Sequence, residues 1–118
     1  MIIDKLYIGD ASMPPSSCVR ACMGGRGHRA LPLRLPSDVR AFGWGYASDA
    51  RKGYGPAALA RVLLEDATGN AELAKRHAPR FEACVIAQLN PADGWRMRQA
   101  GILAWIATEE RQQALAGL

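Results

Sequence analysis

No stretch of this 118-residue chain approaches the ~20 consecutive apolar residues that a helix needs to cross a bilayer. The longest candidates, around Ala57–Leu64 and Ile102–Ala107, are amphipathic or too short. The opening MIIDKLYIGD lacks a basic stretch followed by an apolar one, so no secretory signal is expected. Cysteines are few and odd in number: Cys18, Cys22 and Cys84. That argues against the paired disulfide framework of a small secreted protein. Compositional extremes are missing too. Hydrophobic residues are 49% and charged residues 22%, ordinary globular values that exclude wholesale disorder, collagen and coiled coil. No internal repeat or low-complexity tract is present. These absences predict one small domain over residues 1–118, in the cytoplasm, without a membrane segment.

What is present is an uneven charge. The net charge is +4. Residues 1–55 hold eight basic against four acidic residues, and residues 56–118 hold seven of each. The whole excess lies in the first half, where it favours phosphate or an acidic protein surface.

The first half carries strand and turn signals. Lys5–Gly9 and Ser17–Met23 are short and apolar, and His28–Leu35 alternates around Pro32, which confines it to an edge or a short strand. The run Gly24–Gly27 supplies a hairpin turn. The strand-rich part spans 1–46, and 47–55 is a glycine-rich loop. From Pro56 the pattern turns helical and stays so to about residue 114. Leu59, Val62, Leu63 and Ala67 form one face, Gly69 ends that helix, and Asn70 caps the next. Leu73, Ala74 and His77 point inward, Pro79 predicts a kink or break with an extended Ala78, and Cys84 falls in an apolar helical stretch as a core thiol. Trp95, Ile102, Trp105 and Ile106 are set along a last helix from about Arg98 to Ala114. Strands first and helices second predict an α+β fold: a small antiparallel sheet from the N-terminal half, packed by three or four C-terminal helices.

Between Phe42 and Ile106 the residues form a recognisable series: Phe42, Trp44, Gly45 and Tyr46, then Gly55-Pro56-x-x-Leu59-Ala60-x-x-Leu63-Leu64 with Gly69, then Phe81, Val85, Leu89, Trp95, Ile102 and Trp105. The chain resembles, from about Leu31 to Ile106, an uncharacterised family of bacteria, plasmids and phages. The resemblance implies a small sheet packed by helices and no assigned chemistry.

Candidate chemistry is thin. Glu65–Asp66 and Glu109–Glu110 are neighbours on helices and splay apart. A nucleophile needs a base and an orienter; Cys18 or Cys22 with His28 or His77 and Asp38 meets this only formally. Cys18, Cys22 and His28, with His77 as a fourth ligand, are a weak zinc alternative, because structural zinc favours tighter spacings. Arg51 and Lys52 precede a helix start that offers N–H groups to an anion. The residues expected to meet a partner are Arg20, Arg26, Arg29, Arg34, Arg40, Arg51, Lys52 and Tyr54. The expected function is non-enzymatic binding of a protein or a protein–nucleic-acid complex, without a cofactor. The phage and plasmid setting of the resembling family implies an accessory factor, with inhibition of a host defence (anti-CRISPR-like) complex as one form. The alternatives are direct nucleic-acid binding by the basic half and a cysteine- or metal-dependent hydrolase.

Overall fold

Strand β1 (Leu6–Gly9) alternates half-buried and buried residues, since successive side chains leave opposite faces of a strand. The computed structural model describes residues 4–9, 19–23, 28–31, 54–89 and 94–117, with side chains left aside at 28 and 54–57. Strand β2 (Val19–Cys22) buries Val19 and Ala21, and β3 (His28–Ala30) leads into the buried Leu31. The remainder of the expected strand, 32–35, lies outside the described residues. Helix α1 (Tyr54–Thr68) buries Leu59, Ala60, Leu63, Leu64 and Ala67 on one side. Gly69 ends it at φ 69°, the left-handed conformation that glycine adopts without a Cβ penalty. Asn70 then caps α2 (Ala71–Cys84): its Oδ1 accepts from the Leu73 N–H at 3.1 Å. A 3-10 turn, Ile86–Gln88, follows and buries Ile86.

Two expectations fail in α2: the break at Pro79 with an extended Ala78, and the core placement of Cys84. The helix continues through Pro79, and Ala78 is helical and buried. Pro79 sits on the exposed side with Lys75, whose carbonyl loses its donor where water can replace it. Cys84 is exposed. The buried stripe of α2 runs through Ala74, His77, Ala78 and Phe81, and Cys84 lies beside that stripe at the helix end.

Strand β4 (Trp95–Arg98) occupies the place where Trp95 was expected along a helix. Its sequence, WRMR, alternates apolar and basic residues, and alternation fits a half-buried strand. Helix α3 (Gln99–Ala116) begins at once behind it and buries Ile102, Ile106 and Glu109. The four strands pair antiparallel in the order β3-β2-β1-β4. The class is α+β, with an antiparallel sheet and three α-helices among the described residues, and the sheet takes one of its strands from the C-terminal half. No described helix is long and apolar enough to cross a membrane.

The core forms between the inner sheet face and the helices. Tyr7, Val19, Ala21, Leu31 and Trp95 meet Leu59, Leu63, Leu64, Phe81 and Ile102. Each large apolar side chain removed from water contributes roughly 1.5–3 kcal/mol. Trp105 packs edge-on against Phe81, with ring centroids 5.1 Å apart and planes at 78°. Gly9 is required where it stands, because the Trp95 indole lies over it: a Cβ there would come within 2.2 Å of the ring.

Candidate functional site

The ladder places charge on both faces of the sheet, with different consequences. On the inner face, Arg29, Ala21, Tyr7 and Met97 form one cross-strand row. Asp66 of α1 stands over that row. Its Oδ2 accepts from the Tyr7 hydroxyl at 2.8 Å and from Lys5 Nζ at 3.2 Å, and its Oδ1 accepts from Arg29 Nη2 at 2.8 Å. Small Ala21 between Tyr7 and Arg29 keeps the space above the sheet open for this convergence. Burial opposes ionisation of Asp66 and is the largest single influence on it. The donors from Arg29, Tyr7 and Lys5 together outweigh burial and hold the carboxyl below its ordinary range. Burial, then the bond to Asp66, pushes the Tyr7 hydroxyl well above the usual phenol range. This group of four ties strands to helix and is internally satisfied.

Asp4 and Lys5, just before β1, do a second structural task. Arg98 caps α3 without a side-chain bond of its own. Asp4 supplies the missing acceptor from the other end of the chain: its Oδ1 accepts from the Ala100 N–H at 2.8 Å. Gln99 reinforces the junction, donating its backbone N–H to the Lys5 carbonyl at 2.8 Å and its side-chain amide to the Ala67 carbonyl at 3.0 Å.

On the outer face, two rows run across the strands. One is Ala30–Arg20–Ile8–Arg96, and the other is His28–Cys22–Leu6–Arg98. Leu6, Ile8, Arg20 and Cys22 are half-buried, and Arg96 and Arg98 are exposed. None of these eight residues is acidic. Strand spacing sets Arg20 and Arg96 about 10 Å apart across Ile8, and Arg96 and Arg98 about 7 Å apart along β4. Such separations lie within a Debye length of about 8–10 Å, so the guanidinium fields add. Asp4 stands at the rim, with its Oδ2 3.7 Å from Arg98 Nη1. The face is a pair of aliphatic residues flanked by arginines, suited to an anionic and partly apolar surface.

The residues expected to meet a partner are dispersed. Arg20 lies on the outer face, and Arg29 lies on the inner face with its charge on Asp66. Arg26, Arg34, Arg40, Arg51, Lys52 and Cys18 lie outside the described residues, as do the Tyr54 and His28 side chains. Cys22 and His28 are register partners on β2 and β3. His77, named as a fourth metal ligand, is buried between α2 and α3 instead. Its Nε2 is 3.2 Å from Glu110 Oε1, and the Trp105 ring meets it edge-on. Among the described residues, no three His, Cys, Asp or Glu side chains are placed to hold a metal. The expectation overlooked Arg96 and Arg98. The signal for them is the two-residue period of Trp95-Arg96-Met97-Arg98, which sets both arginines on the face opposite the tryptophan.

A family model, described as a family of unknown function (DUF6166), matches residues 24–108. No curated protein and no solved structure matches the chain. The matched span contains Asp66, Arg96 and Arg98, while Tyr7 and Arg20 precede it.

Proposed function

We propose that this chain, which belongs to that family, is a binding protein that docks an acidic protein surface on the outer face of its sheet and carries out no chemistry of its own. The supporting observation is the pair of outer rows: Arg20, Arg96 and Arg98 flank Ile8 and Leu6, with Asp4 at the rim beside Arg98. Arginine around a small apolar centre is the usual composition of a protein interface, whereas a surface that reads single-stranded nucleic acid stacks bases on aromatic rings. Among the described side chains of the outer face there is no Phe, Trp or Tyr. In this reading the protein acts in the cytoplasm. The phage and plasmid setting of the family it resembles makes a host complex the class of partner, and inhibition of a defence complex is one form.

The test is capture of partners by the tagged full chain in host extract, before and after nuclease treatment. The comparison is a variant carrying Arg20→Glu and Arg96→Glu, with its fold checked by circular dichroism and melting. A protein retained after nuclease treatment and lost from the folded variant supports the reading. Retention of nucleic acid alone, with an affinity that falls linearly in log salt concentration, supports the alternative and overturns this one. An identical set of proteins on both chains also overturns it.

A further inference from the structure

Strand β4 has one neighbour among the described residues, β1. The Gln99 N–H donates to the Lys5 carbonyl at 2.8 Å, so Lys5 and Gln99 form a hydrogen-bonded pair of the antiparallel ladder. Such pairs alternate. Tyr7–Met97 and Gly9–Trp95 are therefore bonded pairs, and Ile8–Arg96 and Leu6–Arg98 are not. The backbone N–H and C=O of Arg96, and the N–H of Arg98, point away from β1. The far side of the sheet obeys the same alternation: the Leu31 N–H donates to the Val19 carbonyl at 2.9 Å, and Val19 and Ala21 face β3. One short stretch of β4 thus combines outward backbone donors and an acceptor with two exposed arginines whose Cα atoms stand about 7 Å apart on the outer face, Arg98 with Asp4 beside it at the rim.

We propose that the edge of β4 accepts an extended acidic segment of a partner protein as an added strand, with carboxylates at alternate positions meeting Arg96 and Arg98. The proposal rests on the outer-face reading and names the chemistry that face would take. Alternate residues of an incoming strand are also about 7 Å apart, so side chains at i and i+2 meet the two guanidinium groups in register. Backbone bonds to Arg96 and Arg98 supply affinity, and the alternate carboxylates supply selection. A second copy of this chain is a poor occupant. Pairing β4 with its own image sets arginine opposite arginine, and like charges directly across a ladder destabilise it.

The experiment uses the isotope-labelled full chain and a synthetic peptide of alternating Glu and Thr, Ac-(Glu-Thr)4-NH2, with amide exchange read by NMR at low salt. Exchange at Arg96 and Arg98 is expected to slow at least threefold with millimolar peptide. The effect should vanish when the peptide is N-methylated at the residues facing β4, when Lys replaces Glu, and on the folded Arg96→Glu, Arg98→Glu variant. A protein-side comparison separates backbone from charge. Arg96→Ala removes the guanidinium alone, and Arg96→Pro also removes the outward N–H while sparing the bonds to β1, so Pro should weaken binding further. Three results overturn strand addition: no slowing at millimolar peptide, equal slowing by the N-methylated peptide, or equal slowing by the Lys peptide. Shifts confined to Leu6, Ile8 and Arg20 also overturn it, yet leave the outer-face reading standing.

Discussion

Replacing Asp66 by Asn tests the junction that joins sheet to helix. Asp66 Oδ1 faces Arg29, and Oδ2 faces both Lys5 and the Tyr7 hydroxyl. An amide keeps the shape but turns one oxygen into a donor. The best orientation leaves its oxygen toward Lys5 and Tyr7 and sets an NH2 group against the Arg29 guanidinium. The Arg29 pair is then lost; with Arg29 56% exposed, that costs roughly 0.2–1 kcal/mol. The two remaining bonds lose the carboxylate's negative charge, at about 1 kcal/mol each. The expected destabilisation at neutral pH is about 2–3 kcal/mol, or roughly 10 °C in Tm for a domain of this size.

The pH dependence follows from the direction of the Asp66 shift. Its folded-state pKa lies below the unfolded value of about 3.9, so its stabilisation is complete above that pH and is lost as pH falls through the lower folded value. Asp66→Asn should therefore differ most from the parent near pH 7, and the difference should shrink as pH falls below about 3.9. Tyr7 acts in the opposite direction. Its raised pKa keeps its contribution full below about pH 10 and lets it fall at higher pH. Urea unfolding at several pH values, with Tyr7→Phe and the double variant, gives the coupling directly. A coupling of about 1–2 kcal/mol is expected between Tyr7 and Asp66. A value below about 0.5 kcal/mol, or an Asn effect of equal size at pH 2 and pH 7, refutes the reasoning.

Further variants probe the other joints. Gly9→Ala drives a Cβ to 2.2 Å from the buried Trp95 ring and should cost about 1–3 kcal/mol in denaturant unfolding, with a shift in indole fluorescence. Asp4→Ala removes the distant acceptor from the Ala100 N–H and should cost about 1 kcal/mol, with earlier amide exchange in the first turn of α3. Pro79→Ala restores a helix donor on the exposed side of α2 and should raise stability by about 1–2 kcal/mol in thermal melts; a loss of stability would show that the proline shapes the packing of α2.

The second half of this protein was legible one element at a time. Leu59 and Leu63 lie four residues apart, Gly69 follows the last helical turn, and Asn70 caps the next helix. Each of these signals acts over a few residues, and the folded chain uses each of them as local physics requires. The strand at Leu6–Gly9 and the α+β class were equally open to reading, because alternation and element order are properties of the chain itself. Pro79 and Cys84 were misread because a local preference does not say which side of a helix will face water.

The arginines divided for the same reason. Sequence alone determined that positive charge is in excess and that Arg29 and Arg20 belong to strands. Tertiary structure decided that Arg29 turns inward to Asp66 while Arg20 shares a face with Arg96 and Arg98, residues more than seventy positions further along the chain. Asp66 gains its donors, and α3 its capping carboxylate, through contacts that span 37 to 96 residues. A side chain's periodicity fixes only its own face. Which distant partner occupies that face depends on strand order and register, and these are set by the burial of Tyr7, Ala21 and Trp95 against the helices.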